Sequence, residues 1–400
     1  MNDGAKSCYV ELSQRALSSD MVTSKPFVVF VYPLVWAPLK PNFAMAFELL
    51  SSRFRGLVCL SSAEVHRGTP VGGFQMHASR NTGGTVSWVR RFVVQAVTPI
   101  LQSRTEKISV VQAYDPYACG LAACLVARAT GARLIVEMNG DHHERVSPRW
   151  SIKAPLMRMV MEGVLARADA IRVLNRSQER YARAVYPAAR VYRFPDFVSY
   201  STFANALARD DRYLLFVGYP FHLKGLDILI AAFQAVRDEF PDVSLRVMGH
   251  ASAAELSHYR RLANGDERVV FVPPGWVEDV VREMSACTAL VNPSRTEAMG
   301  RVHLEAMATG KPVIASRTNG AIDVVAEGVT GLLFDIDDVD GLAAAIRRIL
   351  CNPDEASRMG ANGRVAAAQL FTEEWYVANV GAMIDDVIRP AAAREYAPGR

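Results

Sequence analysis

The sequence predicts an α/β protein made of two doubly wound, Rossmann-like domains that face each other across a cleft. Its 400 residues exceed the roughly 250–300 at which a single hydrophobic core stops growing. Short runs rich in Val and Ile alternate with helix-like segments along the whole chain, a pattern typical of parallel sheets covered by helices on both faces. Such sheets bind ligands at the carboxyl ends of their strands. We therefore expect the binding site in the cleft.

The first half of the chain predicts one of these domains, residues 26–205. Turn residues bound five apolar runs that read as buried strands: 26–34, 56–62, 108–114, 132–140 and 170–175. Helical segments lie between them at 43–54, 117–130 and 150–168. A polar stretch over 194–211 interrupts the alternation, and we place the link between the domains there. Residues 1–25 are expected to be a poorly ordered leader.

The second half repeats the scheme and predicts a second domain, residues 206–371. Its strands are expected at 213–219, 243–250, 268–273, 288–294, 311–316 and 331–336. Its helices are expected at 224–239, 253–263, 278–286, 301–309, 320–327 and 340–350. The last segment, 372–400, contains a helix that no strand follows. This helix can pack anywhere, including back on the first domain.

Composition and motifs exclude several protein classes. No apolar run reaches the ~18 residues that span a bilayer, and the N-terminus lacks the apolar core of a signal peptide, so a cytoplasmic location is expected. The cysteines are scattered and show no metal-binding spacing. No GxGxxG follows a strand and no GxxxxGK[ST] occurs, which argues against dinucleotide and P-loop sites. The acidic run at 334–341 leads into a helix, so Asp340 is expected to cap that helix and no metal site is predicted.

Charge is distributed unevenly along the chain. Residues 1–199 carry 25 Lys and Arg against 14 Asp and Glu, a balance of +11, and the remainder carries 20 against 27, a balance of −7. The asymmetry suggests an anionic partner for the first half. Nucleic acid is one candidate, but no nucleic-acid-binding motif supports it. An anionic membrane surface or a lipid-phosphate substrate explains the asymmetry at least as well.

The stretch EAMGRVHLE, residues 297–305, has the pattern of an anion-binding loop. It follows a predicted strand, Gly300 permits a tight backbone approach, and a helix is expected to begin near Arg301. The backbone N–H groups at such a helix start, together with the helix dipole, favour a phosphate. Glu305 should share a helix face with Arg301. Taken alone, both glutamates could equally be solvated side chains of an ordinary β–loop–α unit.

The order of motifs around this stretch resembles the C-terminal domain of glycosyltransferase family 4, which has the GT-B fold. The resemblance covers residues 210–390, where Glu297 and Glu305 match the family's EX7E motif; it is weaker in the first half, mainly at 115–141 and 166–179. It implies transfer of a sugar, with retention and without a metal, from a nucleoside-diphosphate sugar. The implied acceptor is a glycan or a polyprenyl-diphosphate-linked molecule in bacterial surface polysaccharide or glycolipid assembly.

The resemblance also implies roles for individual residues. Lys224 would neutralise the diphosphate, Glu305 would bind the ribose hydroxyls, and Glu297 would bind the donor sugar. The backbone near Gly300 would hold the distal phosphate, and the turn at 274–277 would line the base pocket. The remaining donor-binding candidates are Gly218, Tyr219, Gly275, Trp276, Val277, Ala298, Met299, Arg301 and Val302.

Three departures from the family pattern are visible. Tyr219 stands where the family has an arginine, and the candidates to replace it are His222, Arg295 and Arg301. The loop at 32–44 is rich in proline and lacks the usual Gly-Gly, although Lys40 offers a charge. The family's histidine aligns with Asn139, and Asp141 follows; these two are the remaining catalytic candidates. Asp141 could also cap the next helix, and the His142–His143 pair is expected to be solvated or packed in its loop.

Two basic segments, 86–104 and 147–168, combine Trp, Arg or Lys with apolar helical faces. Each is either a core-facing helix with a solvated basic side or an interfacial helix that docks on an anionic membrane. Two functions rival the transferase: a GT-B nucleotide-sugar epimerase or hydrolase, and a non-catalytic partner subunit whose donor site is degenerate.

Overall fold

The computed structural model describes residues 25–35, 39, 41–141, 154–273 and 275–389. The chain divides into two compact units. The N-terminal unit consists of 2–195 together with 374–400, and the C-terminal unit consists of 196–373. The division falls near the start of the link expected over 194–211 and before the domain boundary expected at 205/206. The leader predicted at 1–25 lies outside the described residues, apart from Lys25.

The N-terminal unit is built on a mostly parallel sheet. In the described ranges it has eight strands in the order β3-β4-β2-β1-β5-β6-β7-β8, with β3 antiparallel to β4. The strands are β1 (Phe27–Leu34), β2 (Arg55–Ser62), β3 (His66–Val71), β4 (Phe74–Arg80), β5 (Ile108–Ala113), β6 (Arg133–Met138), β7 (Ala170–Val173) and β8 (Arg190–Arg193). The helices between them are α1 (Pro41–Leu50), α2 (Gly84–Gln102), α3 (Ala118–Thr130), α4 (Ala154–Leu165) and α5 (Arg176–Val185). The central strands are buried on both faces, which explains their continuous apolar sequences.

The C-terminal unit is built on a parallel sheet, which has six strands in the part of the chain described here, in the order β11-β10-β9-β12-β13-β14. These are β9 (Tyr213–Val217), β10 (Ser244–Met248), β11 (Val269–Val272), β12 (Ala289–Asn292), β13 (Val313–Ser316) and β14 (Gly331–Phe334). Its helices are α6 (Tyr200–Ala204), α7 (Leu226–Val236), α8 (Ala253–Leu262), α9 (Val277–Ala286), α10 (Arg301–Ala308), α11 (Asn319–Val324), α12 (Val339–Cys351) and α13 (Pro353–Leu370). The order changes direction between β9 and β12. At such a switch point the loops after the two strands diverge and leave room for a ligand.

The last helix, α14 (Glu373–Ile388), packs within the N-terminal unit. Near its end, Asp385 pairs with Arg53 at 2.5 Å and Asp386 pairs with Arg190 at 3.0 Å. The Tyr192 hydroxyl also donates to Asp386. These contacts join the end of α14 to Arg53, which lies just before β2, and to Arg190 and Tyr192 on β8.

The eleven strands predicted from sequence are all confirmed. Several elements were missed: the β3–β4 hairpin, β8, α5 and α13. Gly72 and Gly73 connect β3 to β4, and this Gly-Gly between two short strands is a hairpin signal. The prediction of Asp340 as a helix cap was wrong. The side chain of Asp338 accepts from the Gly341 N–H at 2.9 Å, so Asp338 caps α12 and Asp340 lies in its first turn.

Candidate active site

The loop between β12 and α10 brings the backbone close to the start of the helix. Gly300 is the N-cap of α10 and has φ +75°, a conformation that residues with a side chain rarely adopt. A Cβ at this position would lie 2.1 Å from Nδ1 of His303. Glycine is therefore required here both by the positive φ and by the close approach of His303. The start of α10 has the geometry of a helix N-terminus that binds anions.

A second glycine, next to Lys224, allows the loop after β9 to approach the loop between β12 and α10. Gly225 has φ +70°, and a Cβ on it would lie 2.0 Å from the carbonyl oxygen of Pro293. The loop after β9 can therefore lie directly against the chain that leaves β12. Lys224 Nζ consequently lies 2.6 Å from Glu297 Oε2, and the two side chains are only 24% and 15% exposed. The predicted diphosphate cation and the predicted sugar-binding carboxylate form an ion pair.

This ion pair determines the protonation state of Glu297. Burial acts to raise the pKa of Glu297, but the Lys224 ammonium and the Gly300 backbone N–H act against it and hold the pKa below its usual range. Opposite charge and hydrogen bonding to the ionised form outweigh desolvation. Glu297 is thus an ionised, hydrogen-bond-accepting carboxylate at neutral pH.

Glu305 has a different environment. As predicted, it shares a helix face with Arg301, whose Nε lies 3.3 Å from its Oε1. Glu305 is 12% exposed and Arg301 is 63% exposed. Burial raises the pKa of Glu305, and Arg301 offsets this only in part. The two glutamates of the motif therefore have pKa values shifted in opposite directions, which suits them to different roles.

The three residues that could replace the family's arginine all contact other side chains of the protein. Arg295 donates from both terminal nitrogens to Asp227 at 2.9 and 2.7 Å, and its Nε lies 2.7 Å from Asp337. His222 lies beside it, with Nδ1 3.2 Å from Arg295 Nη1. Arg301 pairs with Glu305, as described above. In this form of the protein, each cationic candidate therefore has a partner within the chain.

The remaining donor-binding candidates differ in exposure. Tyr219 and Trp276 are 49% and 54% exposed. The aliphatic part of Lys224 packs over Gly218, since a Cβ there would lie 3.0 Å from Lys224 Cγ. Trp276 is the N-cap of α9, which begins at Val277, and its N–H donates to Asp279 at 3.0 Å. Gly275 leaves room for that carboxylate.

The loop residues before Gly300 are less accessible. Ala298 and Met299 are 8% and 6% exposed, so little of either residue is accessible to a ligand. Val302, in the first turn of α10, is partly buried.

In the N-terminal unit, Asn139 and Asp141 follow β6 at the carboxyl edge of the sheet. Asn139 donates to the Tyr114 carbonyl at 2.7 Å and to Glu137 at 3.0 Å, and its buried Oδ1 has no partner among the described residues. Asp141 accepts from Asn175 at 3.0 Å and from Gln178 at 3.1 Å. Both Asn175 and Gln178 are fully buried. These amides fix the carboxylate at the sheet edge.

A buried ionic cluster lies beneath Asn139. Glu137 on β6 accepts from Arg172 on β7 and from Gln112 on β5, and each of these three side chains is at most 2% exposed. The guanidinium carbon of Arg172 also lies 4.5 Å from the ring centre of Phe194. This cluster, which bonds directly to Asn139, links three neighbouring strands below the candidate site.

Several of these residues were not predicted from the sequence. Asn175 and Gln178 form an N-x-x-Q start of a helix, and the Asn175 side chain does cap α5 by accepting from the Gln178 N–H at 2.9 Å; this spacing is a recognisable signal. Glu137 and Arg172 lie inside predicted buried strands, where an isolated charge indicates a partner. His303 lies within the motif, but no sequence signal distinguishes it from a core residue. Lys40, Pro274, His142 and His143 lie outside the described residues.

Two family models match the chain on either side of its division. The model described as a glycosyl transferase 4-like domain matches residues 31–196, and the model for glycosyl transferases group 1 matches residues 201–366. The GDP-mannose-dependent alpha-(1-6)-phosphatidylinositol monomannoside mannosyltransferase of Mycolicibacterium smegmatis is 30% identical over 293 residues, 66% of this chain and 75% of that protein.

The chain is a GT-B glycosyltransferase of the family 4 type. Another relative of this glycosyltransferase, the D-inositol 3-phosphate glycosyltransferase of Nocardioides sp., is 35% identical over 184 residues, 42% of this chain and 40% of that protein. The Thermosynechococcus elongatus sucrose-phosphate synthase has the same fold, with a TM-score of 0.74 at 22% identity over 90% of this chain and 99% of that one. Anabaena HepE, solved with UDP and glucose, gives a TM-score of 0.68 at 17% identity with the same coverage.

Two further observations concern metals and membranes. Within the described ranges, no group of three or more His, Cys, Asp or Glu side chains is arranged to hold a metal ion. In the same ranges, the helices are too short or too polar to cross a bilayer.

Proposed function

We propose that this glycosyltransferase moves a sugar from a nucleoside-diphosphate sugar to a glycan or lipid-linked acceptor, with retention and without a metal ion. The observation that carries the proposal is the Lys224–Glu297 ion pair beside Gly300, with Glu305 in the helix that follows. One cation, one helix N-terminus and two carboxylates match the parts of such a donor: diphosphate, sugar hydroxyls and ribose hydroxyls.

The proposed reaction uses these groups as follows. The acceptor hydroxyl attacks the anomeric carbon from the face that the diphosphate leaves, the bond from that carbon to the phosphate oxygen breaks, and the hydroxyl proton passes to the leaving phosphate. Negative charge builds on the diphosphate as the bond breaks. Lys224 and the N-terminus of α10 stabilise that charge, which is the main catalytic contribution of preorganised groups.

In the N-terminal unit, the proposal gives Asn139 and Asp141 a polar role toward the sugar or acceptor. Their positions at the carboxyl edge, fixed by Glu137, Asn175 and Gln178, support this role. The name of the Mycolicibacterium smegmatis relative includes GDP-mannose and a phosphatidylinositol mannoside. GDP-mannose is therefore the first donor to test, and a lipid-linked molecule is the first acceptor class.

The function is tested by titrating UDP and GDP calorimetrically and then incubating the preferred nucleotide sugar with acceptor in the presence of EDTA. We expect binding of at least one nucleotide and an acceptor whose mass rises by one sugar, with the donor's anomeric configuration retained by NMR. Sugar released or isomerised without acceptor would instead indicate the epimerase or hydrolase. Absence of binding to both nucleotides would favour the non-catalytic subunit.

The two motif glutamates should give different phenotypes. Glu305→Ala is expected to weaken nucleoside-diphosphate binding about 10–100-fold, since it removes the carboxylate that accepts hydrogen bonds from the ribose hydroxyls. Glu297→Ala frees Lys224, so nucleotide binding should be unchanged or tighter while kcat falls about 100-fold. Calorimetry and initial rates measure both. Glu267→Ala, at an exposed glutamate of the same unit, is the control, and equal behaviour of all three variants would remove the assignment.

We further propose that the protein works at the inner face of a cytoplasmic membrane, where a polyprenyl-diphosphate-linked acceptor would be presented. Helix α2 carries a row of apolar side chains that are at least 44% exposed: Val86, Trp88, Val89, Val93, Val97 and Leu101. Beside it, α2 and α3 line a largely apolar groove of about 610 Å³ that includes Trp88, Phe92, Leu121 and Leu125. Exposed apolar side chains grouped beside an apolar groove are a feature of protein or membrane interaction sites.

The charges around this face favour an anionic partner. Arg90, Arg104, Lys107 and Arg128 are exposed and make no ion pair with any described residue. The neighbouring acids are neutralised, because Glu106 pairs with Arg55 at 2.7 Å and Asp169 pairs with Arg133 at 2.9 Å. The face thus combines exposed apolar groups with unpaired positive charge, as interfacial helices do.

Charge reversal on this face should reduce membrane binding. The double variant Arg90→Glu/Arg128→Glu is expected to bind phosphatidylglycerol vesicles at least tenfold more weakly, since each basic residue near an anionic surface contributes about 1 kcal/mol. Vesicle co-sedimentation measures this, with phosphatidylcholine vesicles as the neutral surface. Arg358→Glu, at an exposed site of the C-terminal unit, is the matched control. Equal binding by both variants would contradict the docking face.

A further inference from the structure

His303 is a buried imidazole whose hydrogen-bonding capacity is unused. It lies at the third position of α10 and is 1% exposed, and neither Nδ1 nor Nε2 has a partner in the part of the chain that the structure describes. Its ring lies against Gly300, because a Cβ on that glycine would fall 2.1 Å from Nδ1 and 2.5 Å from Cε1. The ring therefore lies directly beneath the backbone of the proposed phosphate loop.

A buried imidazole without a hydrogen-bond partner lowers the stability of the fold. Buried polar groups are nearly always hydrogen-bonded, and those that are not require an explanation. A leucine would fill a similar volume without burying two polar nitrogens. Burial lowers the pKa of His303 to about 4, so at neutral pH the ring is uncharged and carries one N–H donor. The ring thus carries a donor that meets no acceptor among the described residues.

The groups that influence His303 are the two members of the ion pair. Glu297 favours the protonated ring and Lys224 opposes it, so both lie within electrostatic range. Lys224 cannot serve Glu297 and a diphosphate equally well. When the diphosphate attracts Lys224, the Glu297 carboxylate, 15% exposed, loses the hydrogen bond that holds it in place. The Gly300 backbone N–H still reaches Glu297, but a mostly buried carboxylate that loses its charged partner is destabilised.

We propose that His303 is a positioning residue that donates its ring N–H to Glu297 once a bound donor has drawn Lys224 to the diphosphate. The His303 ring and the Glu297 carboxylate both lie beside Gly300. The ring has an N–H without an acceptor, and the carboxylate needs a donor once Lys224 has moved. His303 would thus hold Glu297 in place for the donor sugar during transfer. This role rests on the donor site described under the proposed function.

The test compares His303→Leu, which fills the volume without a donor, with His303→Gln and His303→Asn, which restore an N–H near the positions of Nε2 and Nδ1. We expect His303→Leu to bind UDP or GDP within about twofold of the wild type and to lower kcat about tenfold. One of the amide variants should recover most of that loss. Wild-type kcat in His303→Leu, or no recovery by either amide, would overturn the proposal.

A double-mutant cycle separates this role from a structural one. In a Glu297→Ala background, His303→Leu should have little further effect on kcat, because the hydrogen-bond acceptor that it serves is gone. Full additivity of the two losses would overturn the assignment. Failure of the wild type to bind any nucleoside diphosphate is a different result, since it rejects the donor site itself before His303 is tested.

Discussion

Lys224→Met is expected to lower kcat/KM for the nucleotide sugar by at least about 100-fold. Lys224 is the cation that the structure places at the start of α10, 2.6 Å from Glu297, while Arg295 and Arg301 are held by other carboxylates. Removing one preorganised charge that faces a leaving group typically costs 10²–10³ in rate. Initial rates over a range of donor concentrations measure the effect. A loss below tenfold would contradict the role of Lys224.

A second variant separates catalysis from stability. Lys224→Met leaves the Glu297 carboxylate mostly buried without its cation, which by itself destabilises the fold. The double variant Lys224→Met/Glu297→Gln removes that uncompensated charge. It should therefore unfold at nearly the wild-type urea concentration, yet have a kcat/KM well below that of Glu297→Gln alone, and this further loss isolates the contribution of Lys224. Recovery of activity in the double variant would show that the single variant had failed only through its stability.

Arg172→Leu is expected to destabilise the N-terminal unit by about 3–5 kcal/mol, since it leaves a buried carboxylate without its partner. Arg172 and Glu137 are 1% and 2% exposed, and the pair joins β7 to β6. Urea unfolding followed by circular dichroism measures the loss, and hydrogen exchange of the β6 and β7 amides locates it. Loss of this pair should also displace Asn139, which donates to Glu137.

Two controls accompany this prediction. Arg133→Leu removes an ion pair of the same unit that is largely exposed, 47% and 33% for Arg133 and Asp169; such pairs are worth at most about 1 kcal/mol. The double variant Arg172→Leu/Glu137→Leu replaces both charges by apolar groups and should recover most of the stability. A loss near 1 kcal/mol in Arg172→Leu would show that the cluster does not bear on folding.

Much of the fold could be predicted because buried parallel strands have continuous apolar sequences. All eleven strands predicted on that basis are present, and the two family models divide the chain where it forms two units. The β3–β4 hairpin was missed because HRGTPV and FQMHASR contain polar residues and lack that signature. β3 is the edge strand, and β4 beside it has exposed side chains at Gln75 and Arg80, so neither is buried on both faces like the central strands.

The candidate site was only partly predictable. The spacing of Glu297, Gly300 and Glu305 places three groups on one loop and helix, since local geometry follows from local sequence. The role of Asp141 could not be predicted, because its position in the sequence was equally compatible with a helix cap and with a contact to the sugar. Its actual partners, Asn175 and Gln178, come from a different strand–helix connection.

By itself, the sequence determined the alternation of strands and helices, the glycines at 225 and 300, and the order of motifs that belongs to this family. Only the tertiary structure decided that Lys224 pairs with Glu297 across 73 residues, that Arg295 is held by Asp227 and Asp337, and that His303 has no partner within the described chain. The physical reason is that periodicity and turn chemistry act over a few residues. The partner of a buried charge or ring nitrogen, by contrast, is set by which strands the sheet brings together.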